Sequence, residues 1–446
     1  MFHAKDQRPA FGIKTAGLVI GGGAAGMSAA ITAARKGVGV VLVERYGFCG
    51  GAAVAGLSGT VCGLYAARDN RERRPEQVVF GFADEFVRRM ERAGGITGPI
   101  RYGKTFTRVH DPLVWRKIAD GWLQEAGVKI FYHALATQVL MERDRVEGVK
   151  VWTKQGLCEI RAKLTIDASG DADLFAMGGL KTVLGNHGKV QNPTMIFRIQ
   201  GVDMERFLAV HGADSIMGEG VMNAIQAEHS KRRRYLPRSK VFLFPTPRKN
   251  ELLCNATRVI GRDGRELNPL IADDLTEAEI EGRRQVWEYA DFFREHIAGC
   301  ENSYVNDTGV QVGVRQTRQI SGTCTLTNED VVRARKRKDG IARSPWPIEL
   351  HSGDKPHLHW VLEDYYEVPF GCFVPEKGEG LLAAGRCLSA QHEAMASARV
   401  TAQCFSYGQA IGLAAVVAVQ ENLSPRQLSG QDIRSLLNRE GAALDS

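Results

Sequence analysis

One stretch near the start of the chain, AGLVIGGGAAGMSAAITAARKGVGVVLVER at 16–45, constrains the fold more than any other. Leu18 to Ile20 is a short apolar run that enters three consecutive glycines. A helix-like, Ala-rich segment follows from Ala24 to about Lys36, and then a second apolar run, Val38 to Val43. Gly21, Gly23 and Gly26 fit G-x-G-x-x-G. The first glycine permits a tight turn, the second lets a pyrophosphate approach the backbone, and the third lets helix and strand pack closely. The helix start at Ala24 and Ala25 presents unpaired N–H groups to the phosphates. Glu44 closes the second strand, where a carboxylate can accept hydrogen bonds from the adenosine ribose. Strand, turn, helix, strand and acid together predict a dinucleotide site.

The remaining sequence excludes several other classes. A chain of 446 residues is long enough for two or three domains with substantial cores. Its 44% apolar and 24% charged content is ordinary for a globular protein. Lys and Arg total 58 against 51 Asp and Glu, a net charge of +7 that helps attract small anions but is too diffuse to argue for nucleic acid. The densest basic run, KRRRY at 231–235, reads as a solvated surface segment. The first residues, MFHAKDQRPAFG, lack an apolar leader core, and Ala410 to Val419 is about half the length of a spanning helix. Nine scattered cysteines without C-x-x-C argue against a disulfide framework, a zinc site and a local redox thiol pair. The expectation is a cytoplasmic protein with no metal, no nucleic-acid partner and no membrane span.

The segment after Glu44, ERYGFCGGAAVAG, carries a second glycine pair, Gly50 and Gly51. Such a pair suits a loop passing close to the ribityl and pyrophosphate of FAD, whereas a nicotinamide enzyme would proceed to further strands and helices. Three later segments point the same way: IDASGDADLFAMGG at 166–179, VRQTRQISGTCTLTNEDV at 314–331, and AAGRCLSAQHEAMASARVTAQCFSYGQAIGLAA at 383–415. In this order, with the glycine turn, they resemble the FAD-dependent oxidoreductases of the glutathione-reductase-like superfamily, close to the fumarate reductase flavoprotein and thiazole-synthase-like branches. The resemblance implies an α/β fold: a Rossmann-like FAD-binding domain with an inserted β meander, plus a mixed α+β substrate domain.

Periodicity is consistent with that layout. DPLVWRKIADGWLQEA at 111–126 predicts an amphipathic helix, followed by a strand at Val128–Tyr132. Alternating runs with turns at Arg143–Asp144 and Gln155–Gly156 predict the meander. From about 185 to 370 strand-like TMIFRIQGV and KVFLFP mix with a helix at 276–298, and LLAAGR then returns to the cofactor domain. The expected division is 14–184 and 376–430 for the FAD domain, with 185–375 as the substrate domain.

The expected cofactor contacts are Gly21, Gly23, Ala24, Ala25, Gly26, Glu44, Arg45, Gly50 and Gly51. The resemblance adds Ala136, Ala168, Ser169, Gly170, Asp171, Gly385, Arg386, Val400 and Thr401. Reduced flavin carries negative charge at N1 and O2, so a positive charge or a helix N-terminus is needed beside them. The resemblance assigns this to the amides of Val400 and Thr401. Arg399 would add its guanidinium there or hold a substrate carboxylate by a bidentate pair; the alternative is a surface pair with Glu393.

His392, between strand and helix, is the leading catalytic candidate, since an imidazole can take a proton as hydride leaves for flavin N5. The bland alternative is a histidine that only shapes its loop. Arg315 is the candidate for substrate orientation, against a surface role for it and Arg318. In HSGDKPHLH, His351, Asp354, His357 and His359 match no standard metal spacing, though His351 alone could line the active site. Cys49 reads as a packing residue rather than a covalent flavin anchor.

No second G-x-G-x-x-G follows a strand, so electrons are expected to pass between a small-molecule substrate, polar and with anions among the candidates, and an external acceptor such as oxygen, a quinone or a carrier protein. Homo-oligomerisation stays open. Two rival readings also stay open: a flavin-binding subunit of an electron-transfer complex, and a biosynthetic flavoprotein related to thiazole synthase or tRNA-modifying enzymes.

Overall fold

A computed structural model describes residues 11–70, 74–231, 233–351 and 357–445. The glycine turn forms as its sequence dictates. Strand β1 (Phe11–Ile20) runs into the glycines, Gly23 caps helix α1 (Ala24–Arg35), and β2 (Val40–Val43) returns parallel to β1 with Leu18 opposite Val41. β1 starts earlier than its apolar run because a long neighbour, Gly156–Asp167, pairs with it from Phe11 to Ile20. Backbone pairing extends the strand where side-chain pattern alone gives little signal.

The central sheet has seven strands: Lys129–Phe131, β2, β1, Gly156–Asp167, Arg145–Thr153 and Leu135–Glu142 in spatial order, with Leu381–Ala383 also beside Gly156–Asp167. That long strand changes partners along its length. Residues 156–161 pair antiparallel with the meander, and 165–167 pair parallel with Leu381–Ala383. The parallel strands therefore end together at Ile20, Val43, Asp167 and Ala383, and the carboxyl ends of such a sheet are where ligands bind. The first meander turn falls at Arg143–Asp144 as the sequence places it, and the second at Lys154–Gln155, one residue earlier than expected.

Helix Thr401–Glu421 lies across α1. A β-carbon on Gly408 would sit 2.1 Å from the Ala25 carbonyl oxygen, and one on Gly412 would sit 2.7 Å from that of Ala29, so two glycines allow the backbones to touch. The helix extends well beyond the apolar stretch 410–419. By length and composition it could cross a membrane, but 83% of its most apolar window is buried inside the protein.

A second core, from Met195 to Val312, belongs to the inserted unit. Its antiparallel sheet is ordered Phe242–Pro245, Glu251–Asn255, Phe197–Gln200 and Tyr304–Thr308, and helix Ala272–His296 packs with it. Leu326, Ile341, Tyr366 and Phe373 join the first core with helix Thr401–Glu421. In the basic run at 231–235, Arg233 and Arg234 pair with Glu228, and Arg234 also pairs with Glu295.

Candidate functional site

At the carboxyl ends of the parallel strands lies an open cleft, about 1280 Å³ with the solvent space at its mouth included. Its floor is the glycine turn, and the three motif glycines serve different needs. Gly21 has φ +101°, and a β-carbon there would lie 2.4 Å from the Ala168 carbonyl oxygen. At Gly26 it would lie 1.8 Å from the Gly21 carbonyl oxygen, so these two glycines close the turn on itself. Gly23 faces the cleft, and its nearest neighbour would be the Gly51 Cα at 3.7 Å. The second glycine pair stands against the first turn, with the Gly50 amide donating to the Gly22 carbonyl at 2.8 Å.

Glu44 lines the cleft and is 4% exposed. Its carboxylate accepts the amides of Gly22 at 2.6 Å and Tyr46 at 2.9 Å. Burial nevertheless raises its pKa against those donors. Arg45, Ala136, Ala168, Ser169, Gly170, Gly385, Arg386 and Thr401 also line the cleft with Ala24, Ala25, Gly50 and Gly51. The turn 168–170 is held by Asp167, whose buried carboxylate accepts the Ser169 amide at 3.0 Å, its hydroxyl at 2.6 Å and the Leu174 amide at 2.9 Å. Burial pushes this carboxyl up to about 6.

Three expected contacts do not reach the cleft: Gly26, Asp171 and Val400. Gly26 is needed for packing, as its clash distances show. Asp171 turns to Arg386, whose Nη2 donates to it at 2.6 Å, while Asp173 takes the place on the cleft wall. Burial opposes ionisation of Asp171, but Arg386 and Thr317 hold its carboxyl below the usual range. Its role is to fix Arg386.

A second cavity, of about 940 Å³ with its open space included, shares Ala52, Gly313, Val314, Arg386, Arg399 and Thr401 with the first and extends toward the inserted unit. Val400 faces this cavity rather than the cleft, as the N-cap of helix Thr401–Glu421. Arg315 and Arg399 line it together. Arg315 is 8% exposed and donates to the Asn192 carbonyl at 2.7 Å; Arg399 donates to Gln191 Oε1 at 3.2 Å. Neither is ion-paired among the described residues, and the proposed surface pair of Arg399 with Glu393 does not form. Burial lowers both pKa values; Arg238 and then Arg399 lower that of Arg315 further, and Arg386 that of Arg399, with Glu349 acting in the opposite sense on both.

The same cavity holds His351, which the sequence offered as a lining residue, and two groups that the sequence did not single out, Tyr102 and Glu349. Tyr102 donates its hydroxyl to Glu349 Oε1 at 2.8 Å, and His351 Nε2 lies 3.2 Å from the same oxygen. Glu349 ionises at about 2: burial opposes this, but the His351, Arg399 and Tyr102 contacts outweigh it. Burial first, then Arg315, lowers His351 to about 3, so its ring is neutral near pH 7. With Nε2–H facing Glu349, Nδ1 is the ring nitrogen without a partner among the described residues.

His392 stands apart from the groups just described. It begins the short helix His392–Ala398 and lines neither cavity. The chain turns away from the cofactor cleft before reaching it: the Gln391 amide bonds to Leu326, and Asn328 caps the Ala394 amide at 2.9 Å. Burial lowers its pKa, with Glu393 and Glu266 acting in the opposite sense. Cys49 is fully buried behind Gly22, its thiol pushed up to about 12. Asp354 of HSGDKPHLH lies outside the described residues, among which no group of three or more potential ligands could hold a metal ion.

The cleft suits FAD on its own geometry: a glycine cradle that a side chain would fill, a buried carboxylate at the end of β2, and a helix N-terminus with two arginines at the far end. FAD bound there would supply the hydride and electron chemistry. Comparison with known proteins agrees. Residues 18–437 match the family of FAD dependent oxidoreductases. A digeranylgeranylglycerophospholipid reductase of Methanoculleus marisnigri is 30% identical over 174 residues, covering 37% of this chain and 42% of that protein, so the chain spans under half of that relative's length. A geranylgeranyl bacteriochlorophyll reductase-like protein of Thermoplasma acidophilum shares the fold, with a TM-score of 0.53 at 15% identity over 97% of this chain and 85% of that one. The p-nitrophenol 4-monooxygenase of Pseudomonas putida gives a TM-score of 0.48 at 11% identity, over 97% and 87% of the two chains. A match that runs from the glycine strand to the last helix, on a chain whose cleft is built as a dinucleotide cradle, identifies the protein as an enzyme of the FAD dependent oxidoreductase family with FAD as its cofactor.

Proposed function

We propose that the protein transfers a hydride between a carbon of a small anionic substrate and flavin N5, and exchanges the electrons with an external partner such as oxygen, a quinone or a carrier protein. The observation that carries this reading is the pairing of Arg315 and Arg399, neither balanced by its own carboxylate, with the Glu349–His351 couple in one cavity that opens onto the cofactor cleft. Two desolvated guanidiniums that share the one Glu349 charge are costly, and a substrate anion would offset that cost. Arginine's planar fork also fixes the orientation of a carboxylate.

The proton accompanying the hydride falls to His351 in this reading. Glu349 holds the Nε2–H tautomer, which leaves Nδ1 to accept a proton from the substrate. Since Arg315 is one of the charges suppressing protonation of His351, a substrate anion on Arg315 would make the ring more basic when it is needed. Kinship with fumarate reductase flavoproteins remains part of the proposal. The test is anaerobic mixing of holoenzyme with candidate hydroxy acids, amines and enoates, watching the flavin absorbance. Saturable bleaching, or saturable reoxidation of prereduced enzyme, supports the reading. Failure of every anion, with neutral substrates active instead, overturns it.

A further inference from the structure

We infer that the anion taken by this site is a monocarboxylate with a flat apolar body, an aryl or conjugated enoyl acid; this rests on the cavity being the substrate site. The cavity has two unlike parts. In one are Arg315 and Arg399, and the Glu349 carboxylate is already engaged by Tyr102 and His351. Of the three lining guanidiniums Arg386 is paired with Asp171, so Arg315 and Arg399 stand against the single lining carboxylate, Glu349, and leave one positive charge in excess, which one substrate carboxylate would balance. Arg238, 3% exposed, stands behind Asn255 of the cavity wall, bonded to its Oδ1 at 2.8 Å, and adds to the positive field there.

Next to these groups the lining is apolar and aromatic, with Tyr102 belonging to both parts. Tyr102, Phe244, Trp346, Ile196 and Leu253 are each at most 5% exposed and share one core cluster. The Tyr102 ring stacks on Trp346 with centroids 5.2 Å apart, and it lies parallel to Phe244 within 6° at 6.1 Å. These flat, co-aligned faces match a planar unsaturated group. No charged side chain stands on this wall, so a second carboxylate directed there would lose its hydration without gaining an ion pair. Dicarboxylates are therefore disfavoured despite the two arginines. The polar part selects the charge, and the aromatic wall selects the body.

Equilibrium titration of oxidised holoenzyme, read as a shift of the flavin absorption bands, tests this without turnover. The probes are benzoate, cinnamate, benzamide, acetate and succinate. Benzoate and cinnamate should shift the bands saturably. Benzamide should bind roughly 10-fold to 100-fold more weakly, as expected for loss of a charge-assisted hydrogen bond. Arg315→Met should lose benzoate binding with FAD content unchanged. Phe244→Ser should weaken benzoate but leave acetate unaffected, which a general loosening of the fold would not do. The inference is overturned if succinate binds as well as benzoate, if benzamide equals benzoate, or if neither aromatic acid binds. Should the aromatic acids bind while no acid of that class ever reduces the flavin or reoxidises its reduced form, the substrate class survives and the hydride reading falls.

Discussion

Gly51 is packed against Gly23 so closely that a β-carbon on Gly51 would fall 2.8 Å from the Gly23 Cα, at a position where φ is +50°. The two glycine pairs thus form one object, although a helix and a strand separate them in the sequence. This predicts three different outcomes for three single changes. A β-carbon on Gly23 would make only an ordinary contact, 3.7 Å from the Gly51 Cα, so Gly23→Val should leave an apoprotein that folds while FAD is lost, because the branched side chain fills the pyrophosphate approach. Gly51→Val should lose FAD and also shift the turn. Gly26→Ala meets the Gly21 carbonyl and should destabilise the fold itself by about 1–3 kcal/mol. Flavin content after purification, set beside the urea midpoint of the apoprotein, separates the three. Equal effects at all three positions would refute the distinction.

A second prediction separates the two candidate histidines. His351→Asn should retain FAD and slow flavin reduction by substrate by about 10²–10⁴-fold, the usual contribution of a positioned acid or base. His392→Asn should leave the reduction rate of FAD-loaded enzyme nearly unchanged. Tyr102→Phe removes one of two donors to Glu349, so its effect should be smaller than that of His351→Asn and accompanied by a changed pH profile. Stopped-flow reduction of fully loaded variants measures all three. A slow His392→Asn variant beside a fast His351→Asn variant would reverse the assignment.

Arg399→Lys keeps the positive charge but loses the planar fork. Substrate affinity should fall by roughly tenfold or more, while FAD content changes little, because Thr401 and the helix N-terminus still line the cleft. The readout is the split between KM and kcat, measured alongside the flavin-to-protein ratio.

The difference between His351 and His392 shows where sequence reading reaches and where it stops. The glycine turn, Glu44, the meander and the helix after Arg399 were legible because each is local: one period, one turn or one cap carries its signal. Arg315 and Arg399 were legible as charges expected near the flavin. The Tyr102–Glu349 bond joins residues 247 positions apart, contributed by two short strands, Ile100–Tyr102 and Ile348–Leu350. No spacing rule links them. His392 looked catalytic because it follows a cofactor-domain strand, but the turns between Ala384 and Gln391 carry the chain past the cleft before the helix begins. Which face a loop residue ends on is decided by tertiary packing, and that is the part the sequence withheld.

The last prediction concerns acid stability. His110 is 2% exposed and packs on Trp115 with ring centroids 4.6 Å apart; burial lowers its pKa from 6.5 to about 4. His351 is lowered to about 3. Below pH 6.5 the unfolded chain binds protons at both positions that the folded protein refuses, so folding stability must fall as the pH falls. For His110 alone the loss amounts to about 3 kcal/mol between pH 6.5 and 4, and the contribution of His351 continues to about pH 3. Glu349 acts in the same direction but later: its stabilisation is complete above its ordinary value of 4.5 and is lost as the pH falls toward about 2. Asp167, raised to about 6, acts in the opposite sense over part of this range, but the two histidines outweigh the one carboxyl, so urea midpoints at fixed FAD loading should drop from pH 7 to pH 5. His110→Leu should flatten that slope while leaving flavin reduction at pH 7 unaffected, since His110 lines neither cavity. His351→Asn should flatten it too, but with the catalytic loss described above. An unaltered slope in His110→Leu would mean that the buried ring is protonated in the folded protein, and that its environment supplies an acceptor sufficient to hold the charge.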